Sequence, residues 1–541
     1  MTRRWLGLLF VAGIIPLFAL FHSGLFAGHD VHLQVARIAS FYKSLSEGII
    51  VPRWGGELNL GYGHPALMFY YPLPSYVAAL FHFIGFSLVF SAKLVYALGF
   101  IGSGVAMYYW IRELWGDRAG LISGVLYMYA PYRFVDLYVR GSIGENFFFI
   151  WPPLLLYFLT KLSKKQSWIY LIGGSLSLVA LILSHNALSI MFLPFIGFYG
   201  LLLILNSKHK FLLVLHTLLL TVLGFGFSAF FWIPALLESK YTLQGVIMGD
   251  GIYKNFMNFS QLLGSQVGAV QWIVVLVLTV VLFLWKLGRI KLKITNYDLR
   301  IVILAIIFFI FALFMVLSVS RPVYEAFTIL KKFQFPWRWL SLVVFLSAII
   351  AGYLSKLIPK RSSNIVIYTL LAASIFLTRN MWKIENYTHN SDEYYINYQG
   401  STDASGETSP IWSVRFMEVK PNMHLEVING KAEIAEISRE STVHQYNVAV
   451  ASERVRLLEN TLYFPGWNVY LDGDKLDLSE LSWQDRDHHG LMTFYVSEGE
   501  HEIIVKFERT KIRLLAEIIS LVSIGLLVSL PMFYKVLWSK K

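Results

Sequence analysis

Ser75-Tyr76-Val77-Ala78-Ala79-Leu80-Phe81-His82-Phe83-Ile84-Gly85-Phe86 is the stretch on which the reading of the whole chain turns. It is apolar, but a spanning helix needs about twenty such residues. Read as a span, it moves every later loop to the opposite side of a bilayer. Read as an interfacial or re-entrant helix, it leaves those loops in place.

The flanking hydrophobic runs supply the frame. Candidate spans lie at 5–27, 88–111, 119–133, 146–162, 168–184, 188–206, 211–234, 271–287, 301–318, 338–357, 364–381 and 512–534. That makes twelve without 75–86. Lys and Arg then decide between the two readings. With the N-terminus inside, Arg3/Arg4, Arg112/Arg118, Lys161/Lys164/Lys165, Lys208/Lys210, Lys286–Arg300, Lys356/Lys360/Arg361 and Lys535/Lys540/Lys541 share the cytoplasmic side. The positive-inside rule asks for that arrangement. A thirteenth span at 75–86 would place most of these clusters outside. The stretch therefore belongs to a long first outer loop, 28–87.

Composition agrees. Of 541 residues, 56% are hydrophobic and 15% charged, against about 25% charged in soluble domains; mean hydropathy is +0.56. The net charge of +12 sits in short clusters between apolar runs, with no basic stripe interleaved with exposed aromatics. Nucleic-acid binding is therefore not expected. There is no cysteine, which removes disulfides, thiol catalysis and zinc–thiolate sites. The run 5–27 is too long for a signal-peptide h-region and reads as the first span.

The outward segments are then 28–87, 134–145, 185–187, 235–270, 319–337 and 382–511. Three units are expected: a transmembrane module over 1–382, a mostly β extracytoplasmic domain over 383–508, and a last span with a basic cytoplasmic tail over 509–541. Strand period appears at Ile411–Val419, Val443–Val450, Trp467–Leu471 and Ile503–Phe507. Asp472-Gly473-Asp474 and Glu498-Gly499-Glu500 read as turns between strands.

The unusual polar residues collect in these outward segments. Asp30, in Gly28-His29-Asp30-Val31-His32, precedes an amphipathic helix over Val31–Leu45. It serves there as an N-cap, as a general base for an acceptor hydroxyl, or as both. Arg133, Asp136, Arg140 and Glu145 cluster at a membrane boundary, where charges are costly unless paired or wet. They read either as an interfacial salt-bridge girdle or as a functional set, with Glu145 a metal ligand or a support for the base and Arg140 a phosphate contact or an ion partner. His185, in Ser184-His185-Asn186, is a cap or a ligand for substrate or metal. Phe335-Pro336-Trp337-Arg338 opens a helix, and Arg338 at an outward N-terminus suits a phosphate. Glu325 is a further acid in that loop. There is no P-loop, dinucleotide fingerprint, Gly-x-Ser-x-Gly elbow or HExxH, so ATP-driven transport, hydride transfer and serine hydrolysis lose support.

Assembled, the chain resembles the GT-C superfamily of integral membrane glycosyltransferases. Within it, it is most similar to bacterial multipass proteins labelled 6-pyruvoyl-tetrahydropterin synthase-related, although nothing in the sequence points to pterin chemistry. The carrying residues are His29–His32, Gly48–Trp54, Gly61-Tyr62-Gly63-His64-Pro65, Phe69–Pro74, Leu137–Glu145 and Phe335–Arg338. Tyr463–Gly473 resembles a β module of related enzymes.

The resemblance implies an α-helical polytopic, GT-C-like fold of about twelve spans. It also implies transfer of a sugar from a polyprenyl-phosphate donor to a glycan, lipid or protein acceptor at the outer face of the plasma membrane. Asp30 and Glu145 match its acidic positions and Arg338, less closely Arg140, its phosphate contact. His32, His64, Tyr70, His185 and Glu325 are carried as substrate-binding candidates. Some members hold a divalent metal between such acids. Asp30, Glu145 and His185 are the candidate ligands for Mg or Mn, although the motif here has one acid rather than a pair. The rival classes are a transporter or flippase of lipid-linked glycans, which predicts inverted halves, and a non-catalytic scaffold, which predicts scattered acids.

Overall fold

The computed structural model describes residues 2–538 except 248, 263–265, 385 and 404; Lys540 and Lys541 of the basic tail lie outside the described residues. Among those described, nine helices are long and apolar enough to cross a membrane. The other three expected spans fall on the helices Asp117–Met128, Trp168–Ser184 and Lys360–Thr378, which are not among those nine. Asp117–Met128 is buried along most of its length, so protein rather than lipid satisfies its surface. The expected first span also changes form. Its α-helix, Thr2–Ile14, gives way near Pro16 to a 3₁₀ stretch, Ile15–Phe21, because proline lacks an N–H to continue the ladder.

The deciding stretch forms the helix Leu73–Phe83, eleven residues long. At 1.5 Å per residue that is about 16 Å, roughly half of a bilayer's hydrocarbon core. Its side chains pack against the first loop and Asp392. Near its start, Tyr76 donates to the Ile50 carbonyl at 2.6 Å. Near its end, His82 packs edge-on against Tyr42, at 4.4 Å, and faces Asp392 at 3.9 Å.

Strand β1 (Leu25–Phe26) pairs antiparallel with β2 (Tyr387–Thr388), tying the end of the first apolar run to the segment after the helix Lys360–Thr378. Further on stands a six-stranded antiparallel sheet: β3 (Leu425–Asn429), β4 (Ala432–Arg439), β5 (Val443–Leu462), β6 (Trp467–Leu471), β7 (Asp474–Lys475) and β8 (Leu491–Phe507). Its order is β3-β5-β8-β6-β7, with β4 also on β5. Asp472 and Gly473, both at positive φ, make the expected two-residue turn between β6 and β7. Glu498–Glu500 is not a turn: Gly499, at φ +134°, lies inside β8, opposite Val450, where the pairing with β5 shifts register. The stretch 411–419 is not a strand either. Its amides are taken by loops instead, Ile411 N–H by the Tyr241 carbonyl and Met417 N–H by Asn59 Oδ1.

The sheet sits on the long first loop. Trp54 is 1% exposed and meets Trp467 edge-on at 5.4 Å. Arg439 donates to the Gly61 carbonyl, the Leu462 N–H to the Tyr62 carbonyl, and the Ser441 N–H to Glu47. The last helix, Lys511–Trp538, is locked in by Arg513. Its guanidinium pairs with Glu238 at 2.8 Å, both side chains being 1% exposed, and also donates to the Pro465 and Glu508 carbonyls. Arg513→Ala leaves Glu238 buried without its counter-charge. The expected cost is about 3–5 kcal/mol, seen as a large fall in melting temperature of the detergent-solubilised protein. An unchanged melt would show that the pair contributes nothing to docking.

Candidate active site

Asp30 occupies the N-cap position of the helix Val31–Ser46, but its side chain makes no capping bond. The backbone positions it instead. His29 N–H donates to the Val139 carbonyl and Asp30 N–H to the Arg140 carbonyl, at 2.8 and 2.9 Å. The first loop is thereby stitched to a π-helical turn, Val135–Arg140. The Asp30 carboxylate has no hydrogen bond or ion pair among the described residues and lines a large cavity.

Two glycines permit this close stitching. Gly141 ends the π-turn in the left-handed region, at φ +66°, where a Cβ would collide with Val31. Gly144 has the Tyr71 ring where its own Cβ would be. Gly144→Ala is expected to push Tyr71 off His185 and to cost about 1–3 kcal/mol, the usual effect of overpacking. A thermal melt checks it, and an unchanged melting temperature would contradict the contact.

Glu145 is the hub of the site. It is fully buried. Its Oε1 takes Arg140 Nη1 and Arg338 Nε, both at 2.9 Å, and has His185 Nε2 at 3.7 Å. Its Oε2 accepts from the Tyr132 hydroxyl at 3.0 Å. Arg140 also pairs with Asp136 at 2.8 Å and lies over the Trp337 ring at 4.3 Å. Burial, then the Glu145 carboxylate, push the Asp136 carboxyl well above its ordinary range. His185 accepts from the Leu188 N–H, capping the helix Asn186–Asn206, and stacks on Tyr71 at 5.0 Å. Burial pushes its imidazole down to about 3, so it is neutral.

These residues meet at one cavity of about 1200 Å³. One wall is polar: Asp30, Arg37, Tyr70, His185, Arg338 and Glu407. The cavity lining also includes the apolar Ile182, Ile190, Leu193, Phe225, Trp232 and Leu236, from four consecutive helices. Lys254 and Lys332 also line it, and neither is in an ion pair among the described residues. Glu145 stands directly behind the wall, in contact with three residues that form it.

Three expected site residues lie elsewhere. His32 points away, among the rings of Tyr394, Tyr395 and Tyr398, at 5.7, 5.4 and 5.2 Å. Two residues on from Asp30, it falls about 200° round the helix, on the opposite face. His64 is fully buried behind the wall, bonded to Ser409 Oγ at 3.0 Å, and burial pushes it down to about 4. Glu325 is exposed and pairs with Arg321 on its own short helix, Arg321–Ala326, which corrects its assignment to the site.

Two of the three expected metal ligands, Glu145 and His185, already have hydrogen-bond partners. Both oxygens of Glu145 already have donors, two of them positively charged guanidinium groups. Among the described residues no group of three or more His, Asp or Glu side chains is placed to hold a metal ion. The donor set does not fit Mg or Mn, and no step below runs through a metal.

The sequence reading missed Arg37, Gln334 and Glu407. Arg37 was legible: Asp30, Gln34 and Arg37 lie four and seven residues apart, on one helical face. Its guanidinium lies 3.6 Å above the Tyr70 ring and also donates to the Thr402 carbonyl. Glu407 gave no local signal. It arrives from a turn-rich segment between the helix Asp392–Ile396 and β3.

The fold and the cavity define a class: a polytopic helical membrane protein whose polar cavity lies between its helix bundle and a sheet-bearing segment. The chain belongs to the family described as "6-pyruvoyl-tetrahydropterin synthase related domain; membrane protein", whose profile matches residues 67–386. An uncharacterized protein of Lactococcus lactis subsp. cremoris (strain MG1363) is 26% identical over 245 residues, covering 44% of this chain and 40% of that relative. Among solved structures, the arabinofuranosyltransferase AftD from Mycobacteria aligns with a TM-score of 0.47 at 16% identity, over 71% of this chain and 27% of that one. ArnT from Cupriavidus metallidurans, bound to undecaprenyl phosphate, aligns with a TM-score of 0.40 at 16% identity, over 72% and 68%. The Archaeoglobus fulgidus oligosaccharyltransferase, with zinc and sulfate, gives 0.38 at 15% identity, over 74% and 54%. These scores are low, and the function proposed below rests on the cavity itself.

Proposed function

We propose that this protein is a membrane glycosyltransferase that moves a sugar from a polyprenyl-phosphate donor to an acceptor hydroxyl at the sheet-bearing end of the bundle. One observation carries the reading. A carboxylate unpaired among the described residues, Asp30, shares a cavity with two arginines held on a buried glutamate, and apolar side chains of four helices line the same cavity.

Each part has a chemical task. Ile182, Ile190, Leu193 and Phe225 suit the prenyl chain of a donor entering between helices. Arg338, with Arg140 beside it, suits the phosphate. Glu145 takes one N–H of each arginine and fixes both in place; Arg338 Nη2 has no bond among the described residues. Asp30 accepts the proton of the acceptor hydroxyl as that oxygen bonds to the anomeric carbon. The bond from the anomeric carbon to the phosphate oxygen breaks with its electron pair. The charge developing on that oxygen falls to the guanidinium groups. Attack on the face opposite the leaving phosphate inverts the anomeric centre. Tyr71 and neutral His185 form a flat polar surface beside these groups.

Binding of undecaprenyl phosphate to the purified protein in lipid nanodiscs tests the reading. Wild type is expected to bind it. Arg338→Ala should bind about 10- to 150-fold more weakly, the range for one hydrogen bond to a charged group. Equal binding by the two proteins would overturn the assignment of Arg338.

A further inference from the structure

Glu407 reaches the cavity from outside the helix bundle. It is 5% exposed and sits in the segment 397–424, ahead of the sheet. Its Oε1 accepts from the Tyr70 hydroxyl at 2.9 Å and from Gln334 Nε2 at 3.2 Å. Its Oε2 accepts from the Ser405 hydroxyl. Gln334 turns its other amide atom to the phosphate contact: Oε1 accepts from Arg338 Nη1 at 3.3 Å. Arg338 Nε in turn rests on Glu145 at 2.9 Å. A continuous line of bonds thus runs Glu407, Gln334, Arg338, Glu145.

Gln334 is an unusual residue for that line. Its φ is +63°, a conformation that residues with a side chain seldom adopt. It sits between the 3₁₀ stretches Thr328–Phe333 and Pro336–Trp339, with both ends of its amide bonded. Backbone strain of this kind persists where the surroundings over-determine the residue, and such residues collect at functional sites. The anchor on the far side is well built. Asp403 accepts from the N–H groups of Ser405, Gly406 and Thr408 and so shapes the loop that carries Glu407.

We propose that Glu407 is a positioning residue of this site: through Gln334 it holds the Arg338 guanidinium, so that a segment outside the helix bundle sets the strength of the phosphate contact. The proposal rests on the reading of Arg338 given above. An ionised Glu407 accepts charge-assisted bonds from Gln334 and Tyr70, and protonation removes that assistance. The charged and titratable groups facing it are Asp403 on its own loop, Tyr70 and His64 on the first loop, and Arg37 on the helix Val31–Ser46. Burial, then Asp403, push the Glu407 carboxyl from 4.5 up to about 7. The clamp therefore tightens as pH rises through neutrality. The stability sign is the reverse. A carboxyl whose folded value is raised favours the folded state below the unfolded value, and that benefit is lost as pH rises through about 7.

The experiment compares undecaprenyl phosphate binding by wild type, Glu407→Gln and Gln334→Ala, full-length in nanodiscs, at pH 8 and pH 6. The phosphate's own ionisation is common to all three, so the ratio to wild type is read. Both variants are expected to bind about tenfold more weakly than wild type at pH 8 and equally at pH 6, the change that one fully linked ionisation near 7 produces. Equal binding at pH 8, or the same deficit at both pH values, overturns the proposal. A second measurement needs no ligand: a thermal-melt cycle between Glu407→Gln and Arg338→Ala at pH 8. The two effects should be non-additive with Gln334 present and additive in Gln334→Ala. Additivity with Gln334 present overturns the relay. Failure of wild type to bind undecaprenyl phosphate overturns the sugar-transfer reading alone.

Discussion

Asp30→Asn is expected to slow sugar transfer by about 10²- to 10⁴-fold, the usual contribution of a positioned general base. That corresponds to about 3–5 kcal/mol of barrier. The substitution keeps the size of the side chain and removes only its charge and basicity. Because the carboxylate holds no hydrogen bond or ion pair among the described residues, folding should not suffer. The melting temperature and undecaprenyl phosphate binding are expected to stay at wild-type values while turnover collapses. Full turnover in Asp30→Asn would remove Asp30 from the chemistry. A fall in turnover and melting temperature together would mark it as a structural cap instead.

Glu145→Ala should have the opposite signature, with stability and binding lost together. The carboxylate compensates two arginines and is itself fully buried. Arg140 retains Asp136, but Arg338 keeps only the Phe333 carbonyl and Gln334 as acceptors. Breaking a buried pair by removing one partner costs about 3–5 kcal/mol. A fall in melting temperature of the solubilised protein measures this, and loss of undecaprenyl phosphate binding is expected beside it. Glu325→Ala is the control. Its pair with Arg321 is exposed, and such pairs contribute little. If Glu145→Ala melts like Glu325→Ala, the cluster is not holding the site together.

The different roles of these two acids come from their surroundings rather than from their type. Asp30 follows a glycine-containing loop, with its backbone amide bonded and its side chain left open to the cavity. Glu145 sits in the first turn of a helix, where both carboxylate oxygens have met a donor. From sequence the two looked alike, as acids at outward helix ends. The structure makes one available for proton transfer and the other a fixed counter-charge.

Part of this was determined by the sequence alone. The helix bundle and the sheet-bearing segment near the C-terminus follow from hydrophobic run lengths and strand period, and the distribution of Lys and Arg assigned Asp30, Arg140, His185 and Arg338 to outward segments without bringing them together. Those signals are local, or they add along the chain, so one sequence carries them. The stretch 75–86 was legible as a short helix for the same reason: its apolar run is too brief for a full span.

Other features were decided only by tertiary structure. Run length did not reveal that Asp117–Met128 is enclosed by protein, since a buried helix and a lipid-facing one read alike. Strand period at 411–419 gave no strand, because its amides found loop partners more than 150 residues away in sequence. Glu407 meets Tyr70 across 337 residues and Gln334 across 73. Contacts of that kind depend on how the sheet settles on the first loop, through Trp54 and Trp467, and no local pattern encodes them. The sequence set which residues stand at the cavity's end of the bundle. Packing set which carboxylate was left free.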